Sequence, residues 1–314
     1  FTKKICELSG INTAKWALYK NANDAKKIIK TKKFPLVIKM DSLAAGKGVL
    51  VAKTVKEAIN FLNNIIKGML GNSKSKIIIE ECLIGEEASF FFAVDGVNAK
   101  FIGSAKDYKR IGEGNTGLNT GGMGCISPAP KETKKVINKI LKEIINPTLK
   151  TMKNLGYPYY GFLYAGVMFT NKGIFLIEYN VRLGDPECQS VLSRLKTNFY
   201  EICNQMEKRK IKELNIVKNK LVSSCIVLAS RGYPEKYKKN IKIFGLGSFK
   251  NNKKVKIFHA GTLKNNKGDL VTNGGRVLNI IGTGKSLQLA LRNSYEACNK
   301  ISWEGNIYRK DIGS

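Results

Sequence analysis

The sequence is short of acidic residues and nearly without histidine. Only 24 Asp and Glu stand against 54 Lys and Arg, a formal net charge of +30 over 314 residues, and the one histidine, His259, is read as structural. Arginine is scarce as well, confined to positions 110, 182, 194, 209, 231, 276, 292 and 309. Arginine is the side chain that grips phosphates and base edges with a planar fork. The lysines, meanwhile, are dispersed along the chain rather than gathered beside aromatics, as strand-binding surfaces require. The charge is therefore read as lysine favoured at tolerant surface positions, and no nucleic-acid partner is expected. A basic surface still favours small anionic substrates such as nucleotides. No apolar run approaches the roughly 20 residues that span a bilayer, and the start FTKKICELSGINTA lacks the apolar core of a secretory signal, so no membrane association is expected. The cysteines at 6, 82, 125, 188, 203, 225 and 298 form no CxxC pair and are odd in number. That usage fits free thiols in a reducing, cytoplasmic setting. The first residue is Phe1, so a fragment or a trimmed product is expected.

At this length two domains are the expectation. FTKKICELSG and NANDAKKIIK predict helices around a short strand. PLVIKM and VLVAK predict two strands joined by a glycine loop, and TVKEAINFLNNIIKGMLG a helix ending at glycine. SKIIIEECLIG, EEASFFFAVDG and NAKFIGSAKDYKR follow as three strands. Residues 106–130 carry glycines at 112, 114, 117, 121, 122 and 124, and so long a polar, glycine-rich stretch reads as a functional loop. KETKKVINKILKEIINPTLKTMKNLG predicts a long amphipathic helix, and YAGVMFTNKGIFLIEYNVR a hairpin turning at NKG. Lysine-rich, weakly patterned residues 208–220 suggest a domain boundary. Beyond it SSCIVLAS, KIFGLGSF, KIFHAGTL and GGRVLNIIG predict short strands, closed by the helix SLQLALRNSYEACNKI.

Two stretches compete as phosphate loops. GTGKS at 282–286 lies between a strand and a helix, but a Walker loop needs a further glycine where Asn279 stands. A glycine turn capping a helix is the preferred reading. DSLAAGKGVLVAK, residues 41–53, also fails the Walker pattern, because Gly48 follows Lys47. It joins two strands, however, and a hairpin loop of this kind can close over phosphates with backbone N–H groups and lysine charge. Lys39, on the strand before it, would reach the same anion. Taken alone, a tight β-turn with a solvated lysine explains the stretch equally well.

Two further features favour a nucleotide. In FLIEYNVRLGDPE, Glu178 and Asn180 share one face of a strand by their i, i+2 spacing. Their oxygens are hard ligands suited to Mg²⁺, and Arg182 continues the face towards a transferred phosphoryl group. The alternative, a buried ionic pair on an otherwise apolar strand, is costly. EECLIGEE, residues 80–87, leaves a strand through a short linker whose backbone could pair with an adenine edge, with Glu87 at ribose hydroxyls. Taken alone, solvated acidic residues in a turn explain it as well, and its value lies in its order relative to the other features.

A lysine strand, a glycine lid, an acidic hinge, a glycine-rich loop and then E-x-N follow one another in an order that resembles the ATP-grasp superfamily. VIKMDSLAAGKGVLVA, EECLIGEEASF, KDYKRIGEGNTGLNTGGMG and EYNVRLGDPECQ resemble, more closely, the signatures of the phosphoribosylamine–glycine ligase (glycinamide ribonucleotide synthetase) family. The likeness continues through SRGYP, FHAGT, TNGGRVLNIIGTG and YRKDIG. It implies an α+β chain: an ATP-grasp fold of two α+β subdomains clamping ATP over 1–208, with 34–105 as the lid subdomain, then a small β-rich domain over 217–314. It also implies an ATP-dependent ligase of purine biosynthesis, joining glycine to 5-phosphoribosylamine through a glycyl phosphate, with Mg²⁺ or Mn²⁺.

By the resemblance, Lys39, Gly46, Lys47, Gly48, Glu80, Glu81, Leu83 and Glu87 meet ATP, and Glu178 and Asn180 the metal. Asp107, Lys109, Asn119, Thr120, Gly121 and Gly122 line the substrate side, and Arg182, Lys47 and Asp185 serve catalysis. Three departures stand out. The family carries an additional N-terminal domain that helps bind phosphoribosylamine, so this chain is expected to need it for full substrate binding. Tyr108 replaces a frequent histidine, which would alter substrate contacts. YAGVMF offers no carboxylate, so substrate or water must complete a metal's shell. Rival readings are another ATP-grasp carboxylate–amine ligase or carboxylase, a P-loop NTPase using GTGKS and, more remotely, a basic nucleic-acid-binding protein.

Overall fold

The computed structural model describes residues 1–42, 48–70, 72–249 and 252–314. The predicted lid residues Gly46 and Lys47 lie outside the described residues. In chain order the elements are α1 (Thr2–Ser9), β1 (Trp16–Tyr19), α2 (Ala22–Ile28), β2 (Leu36–Met40), β3 (Val49–Ala52), α3 (Val55–Ile66) and β4 (Ile77–Glu81). Then come β5 (Glu86–Asp95), β6 (Ala99–Asp107), β7 (Arg110–Gly112), β8 (Thr116–Asn119), β9 (Gly124–Ser127), α4 (Lys134–Ile140), α5 (Asn146–Asn154), β10 (Tyr160–Thr170) and β11 (Gly173–Asn180). The chain finishes with α6 (Glu187–Ser193), α7 (Phe199–Glu207), β12 (Val222–Ser230), β13 (Val255–His259), β14 (Thr262–Lys264), β15 (Leu270–Thr272), β16 (Arg276–Gly284), α8 (Leu287–Lys300) and β17 (Asn306–Ile307). Among the described residues no helix is long and apolar enough to cross a membrane.

By compactness the chain forms two units, one of Asn12–Glu86 with Met168–Ile177, the other of Phe1–Ile11, Glu87–Val167 and Glu178–Ser314. The smaller unit is built on a four-stranded sheet in the order β1-β4-β2-β3. Its helices start where a side chain can satisfy an orphan amide: Asn21 accepts from Asp24 N–H at α2, and Thr54 from Glu57 N–H at α3. Ala25, Ile29, Ile38, Ala58, Leu62, Ile65 and Ile77 bury the faces the two helices and the sheet turn to one another. As expected, β2 and β3 are an antiparallel hairpin with Lys39 opposite Val49, and Met40 N–H donates to the Gly48 carbonyl at its mouth.

The long sheet runs β11-β10-β5-β6-β9-β12-β16-β13, with β17 paired to β12, and β10 and β11 each contribute residues to both units. Within the larger unit the antiparallel β9–β12 pair sets Cys125 opposite Cys225. The glycine-rich stretch therefore enters the same sheet as the C-terminal strands. Two expectations are corrected here. Residues 106–130 are not wholly a loop, because they supply β9 and the small β7–β8 hairpin. KIFGLGSF is not a strand: Lys242 and Phe244 make isolated bridges and Leu246–Phe249 is a 3₁₀ turn. Gly245 between them has φ +88°, and a Cβ there would lie 1.8 Å from the Lys300 carbonyl oxygen. The long helix is present but widens into a π turn over Leu141–Ile145, which ends one residue short of Pro147. A proline lacks the amide and crowds the carbonyl four residues back, and the wider turn accommodates both defects.

GTGKS resolves as structure. Gly282 and Gly284 are strand residues of β16, and the Ser286 hydroxyl caps α8 by accepting from Leu289 N–H. A Cβ at Gly282 would lie 2.2 Å from the Ala290 carbonyl oxygen, so the glycine is there to let α8 pack against the sheet.

Candidate active site

In the smaller unit Lys39 and Glu80 lie on neighbouring strands and form an ion pair, Nζ to Oε2 3.0 Å, with Glu80 only 4% exposed. Lys39 also donates to the Ile177 carbonyl (3.4 Å). A lysine head fixed on two sides is held as a point charge of defined position, which is what phosphate binding needs. Glu81 acts differently from Glu80. Its Oε1 accepts Lys15 N–H (2.9 Å) while its own N–H donates to the Lys15 carbonyl, so it fastens the chain beside β1. Leu83 is half-buried in the irregular link between β4 and β5. Gly85, in the same link, could carry no side chain, because a Cβ would lie 2.1 Å from the Phe169 carbonyl oxygen.

In the larger unit the predicted substrate residues converge on Lys109. Its Nζ is ion-paired with Glu87 Oε1. The Lys109 carbonyl accepts both Thr120 N–H and the Thr120 hydroxyl, each at 2.8 Å, and Thr120 Oγ1 accepts Gly122 N–H (3.0 Å). These bonds fold the glycine loop back over Lys109, and the β7–β8 pairing of Arg110 with Asn119 completes the turn. Gly122 has φ +113°, and a Cβ would meet Pro186 Cδ at 2.5 Å and Asp107 Oδ1 at 2.8 Å, so only glycine fits.

The electrostatics around Lys109 are unusual. Burial opposes its charge, but Tyr164, Glu87, Asp107 and Glu178 outweigh burial and hold the ammonium well above the usual lysine range. Burial, reinforced by Glu187, pushes the Asp107 carboxyl well up, against the pull of Lys109. Asp107 Oδ1 is buried with no hydrogen-bond partner among the described residues. Glu187 was missed by sequence reading. It is 4% exposed, accepts from the Ser89 hydroxyl (3.3 Å), and burial raises its carboxyl. Its carboxylate presses on Gly184, where a Cβ would lie 2.4 Å from Oε2. One permanent cation thus stands near two carboxyl groups, Asp107 and Glu187, whose charge burial discourages.

Glu178 and Asn180 share a face at the end of β11, as their spacing predicts, with Asn180 Nδ2 donating to Glu178 Oε1 (3.3 Å). Among the described residues no cluster of three or more His, Cys, Asp or Glu forms a metal cage. Two hard side chains without a cage suit Mg²⁺ or Mn²⁺, which keep water and take phosphate oxygens for the remaining positions. Arg182 lies beyond the end of β11, exposed, its Nη1 donating to the Leu183 carbonyl (2.9 Å). Asp185 is paired with Arg276 (2.7 Å), a residue sequence reading did not single out. Tyr108 is buried, its hydroxyl accepting Gly313 N–H (2.9 Å) and donating to the Ser314 carbonyl (3.2 Å). It serves the packing of the last residues. His259 is exposed on β13, its Nδ1 3.2 Å from the Thr262 hydroxyl.

A family model described as the ATP-grasp (A) domain of phosphoribosylglycinamide synthetase matches residues 1–188. The biotin carboxylase domain of a Hydrogenobacter thermophilus 2-oxoglutarate carboxylase shares the fold at 15% identity, with a TM-score of 0.71, over 98% of this chain and 66% of that one. The fold is therefore that of an ATP-grasp protein.

The C-domain model of phosphoribosylglycinamide synthetase matches residues 223–314. A phosphoribosylamine–glycine ligase of Brucella melitensis is 41% identical over all of this chain and 73% of its own length, and one of Haemophilus influenzae is 42% identical over the same shares. The crystal structure of the Thermotoga maritima phosphoribosylamine–glycine ligase has a TM-score of 0.88 at 35% identity, over 99% of this chain and 77% of that one. This chain belongs to the phosphoribosylglycinamide synthetase family.

Proposed function

We propose that this chain joins glycine to 5-phosphoribosylamine with ATP, giving glycinamide ribonucleotide, ADP and phosphate in purine biosynthesis. The observation that carries the reading is kinship at 41–42% identity across the entire chain, both family domains included. A glycine carboxylate oxygen attacks the γ-phosphorus and ADP leaves. The amine of phosphoribosylamine then attacks the acyl carbon, loses a proton, and expels phosphate that retains one glycine oxygen.

Such phosphoryl transfer rests on positioning and charge neutralisation rather than on a protein nucleophile. We assign Lys39, Gly46, Lys47 and Gly48 to the phosphates, the backbone groups of Glu80, Glu81 and Leu83 to the adenine, and Glu87 to the ribose. Glu178 and Asn180 would hold Mg²⁺ or Mn²⁺, which would neutralise phosphate charge when bound. Asp107, Lys109, Asn119, Thr120, Gly121 and Gly122 line the substrate side. The raised Lys109 ammonium supplies a fixed cation for an anionic substrate group there, and Arg182 and Asp185 act beside it. The functional division we favour is 1–208, with 34–105 as the lid, and 217–314. ADP formation by the full-length protein should require both glycine and phosphoribosylamine; turnover indifferent to glycine would overturn the assignment.

A further inference from the structure

Arg276 opens β16, and Tyr233 follows β12, yet both reach the glycine loop far back in the chain. Arg276 Nη1 donates to the Gly121 carbonyl (2.8 Å), the Gly122 carbonyl (3.5 Å) and the Asp185 carbonyl (2.8 Å), while Nη2 bonds Asp185 Oδ2 (2.7 Å). Gly121 N–H donates to the Tyr233 hydroxyl (3.0 Å). The loop is shaped for the guanidinium: a Cβ at Gly121 would lie 2.8 Å from Arg276 Cζ. The Tyr233 ring in turn occupies the space a Cβ at Gly275 would need, 2.2 Å from Cδ2.

We infer that Arg276 is a positioning residue of the reaction: it fixes the Gly121–Gly122 backbone against the 185–186 turn and so sets the site that Thr120, Lys109 and Asp107 form. The planar fork matters, because one side chain bonds three carbonyls and a carboxylate at once, which a lysine ammonium cannot reproduce. The contact also gives the C-terminal strands a part in the chemistry, since the clamp is carried on β16. The substrate-side meaning of the clamp rests on the proposed function; the clamp itself does not.

The test uses Arg276→Lys, Arg276→Ala and Asp185→Asn in the full-length protein, with two readouts. The first is amide hydrogen exchange. Peptides over 117–124 and 183–188 should exchange about ten- to hundredfold faster in each Arg276 variant, the scale of lost charge-assisted bonds, while peptides within α8 stay unchanged. The second is steady-state kinetics, in which KM for glycine or phosphoribosylamine should rise at least about tenfold while ATP affinity measured by direct binding stays within about twofold. Arg276→Ala and Asp185→Asn should be non-additive in that KM, because they break one pair. Unchanged exchange in both segments, full rescue by lysine, or an equal loss of ATP affinity would overturn the inference. If the unsubstituted protein shows no glycine dependence, the functional assignment fails, and the exchange experiment still decides the clamp.

Discussion

The Arg309 guanidinium lies over the Tyr108 ring, its Cζ 5.2 Å from the centroid. Arg309 is 1% exposed and makes a two-pronged bond to Asp311, Nε to Oδ1 2.7 Å and Nη2 to Oδ2 2.6 Å. Its Nη1 donates to the Arg110 carbonyl and to Asn115 Oδ1, each at 3.1 Å, and Asp311 Oδ2 accepts Gly114 N–H (2.8 Å). The last residues thereby hold the β7–β8 hairpin, whose ends adjoin Lys109 and Thr120. Arg309→Ala removes one partner of this pair and should cost about 3 kcal/mol, the low end for a broken buried pair because Asp311 reaches solvent. Arg309→Lys should recover only part of that in urea unfolding, since an ammonium cannot form the fork.

The same pair gives a pH dependence of defined sign. Hydrogen bonds from Arg309 hold the Asp311 carboxyl below the usual carboxylate range. A depressed carboxyl contributes stability above its unfolded value of about 3.9, and that contribution disappears as pH falls through the lower folded value. Hydrogen exchange at Gly114, corrected for intrinsic rate, should therefore quicken on acidification below about pH 4. Asp311→Asn should be less protected at neutral pH and lose this step.

Two variants separate the ion pair Lys39 makes with Glu80 from the phosphate role proposed for it. Lys39→Met deprives the buried Glu80 carboxylate of its lysine and should destabilise by about 3–5 kcal/mol. Lys39→Met with Glu80→Leu should restore most of the stability, because well-packed apolar replacements of a buried pair are often neutral. ATP binding should stay lost in the double variant. Recovery of ATP binding together with stability would refute a phosphate role for Lys39.

GTGKS should be inert towards nucleotide. Lys285→Ala should leave ATP affinity within about twofold, since a surface charge outside the site contributes little. Gly282→Ala, by contrast, should destabilise by about 1–3 kcal/mol through overpacking of α8 against β16.

Much of this was legible in the sequence where the signal is local. The i, i+2 spacing of Glu178 and Asn180 fixes their common face without knowledge of any neighbour. The lysine strand and its hairpin follow from alternating apolar residues around a glycine loop. Glu187 and Arg276 were not legible, because their roles come from partners distant in the chain: Ser89 for one, Gly121 for the other. Strand β9 was hidden because GGMGCIS has the composition of a loop, and its strand character comes from pairing with β6 and β12. KIFGLGSF misled in the opposite direction. Its alternation suggests a strand, and the left-handed Gly245 breaks it.

The most direct measurement follows oxygen. Full-length protein is turned over with ATP, phosphoribosylamine and glycine labelled with ¹⁸O in its carboxylate, and the released phosphate is examined by mass spectrometry. The expected result is one ¹⁸O in each phosphate formed alongside glycinamide ribonucleotide, with release abolished by omission of glycine and by Glu178→Ala. Unlabelled phosphate, or release that continues without glycine, would contradict a glycyl phosphate and with it the proposed reaction.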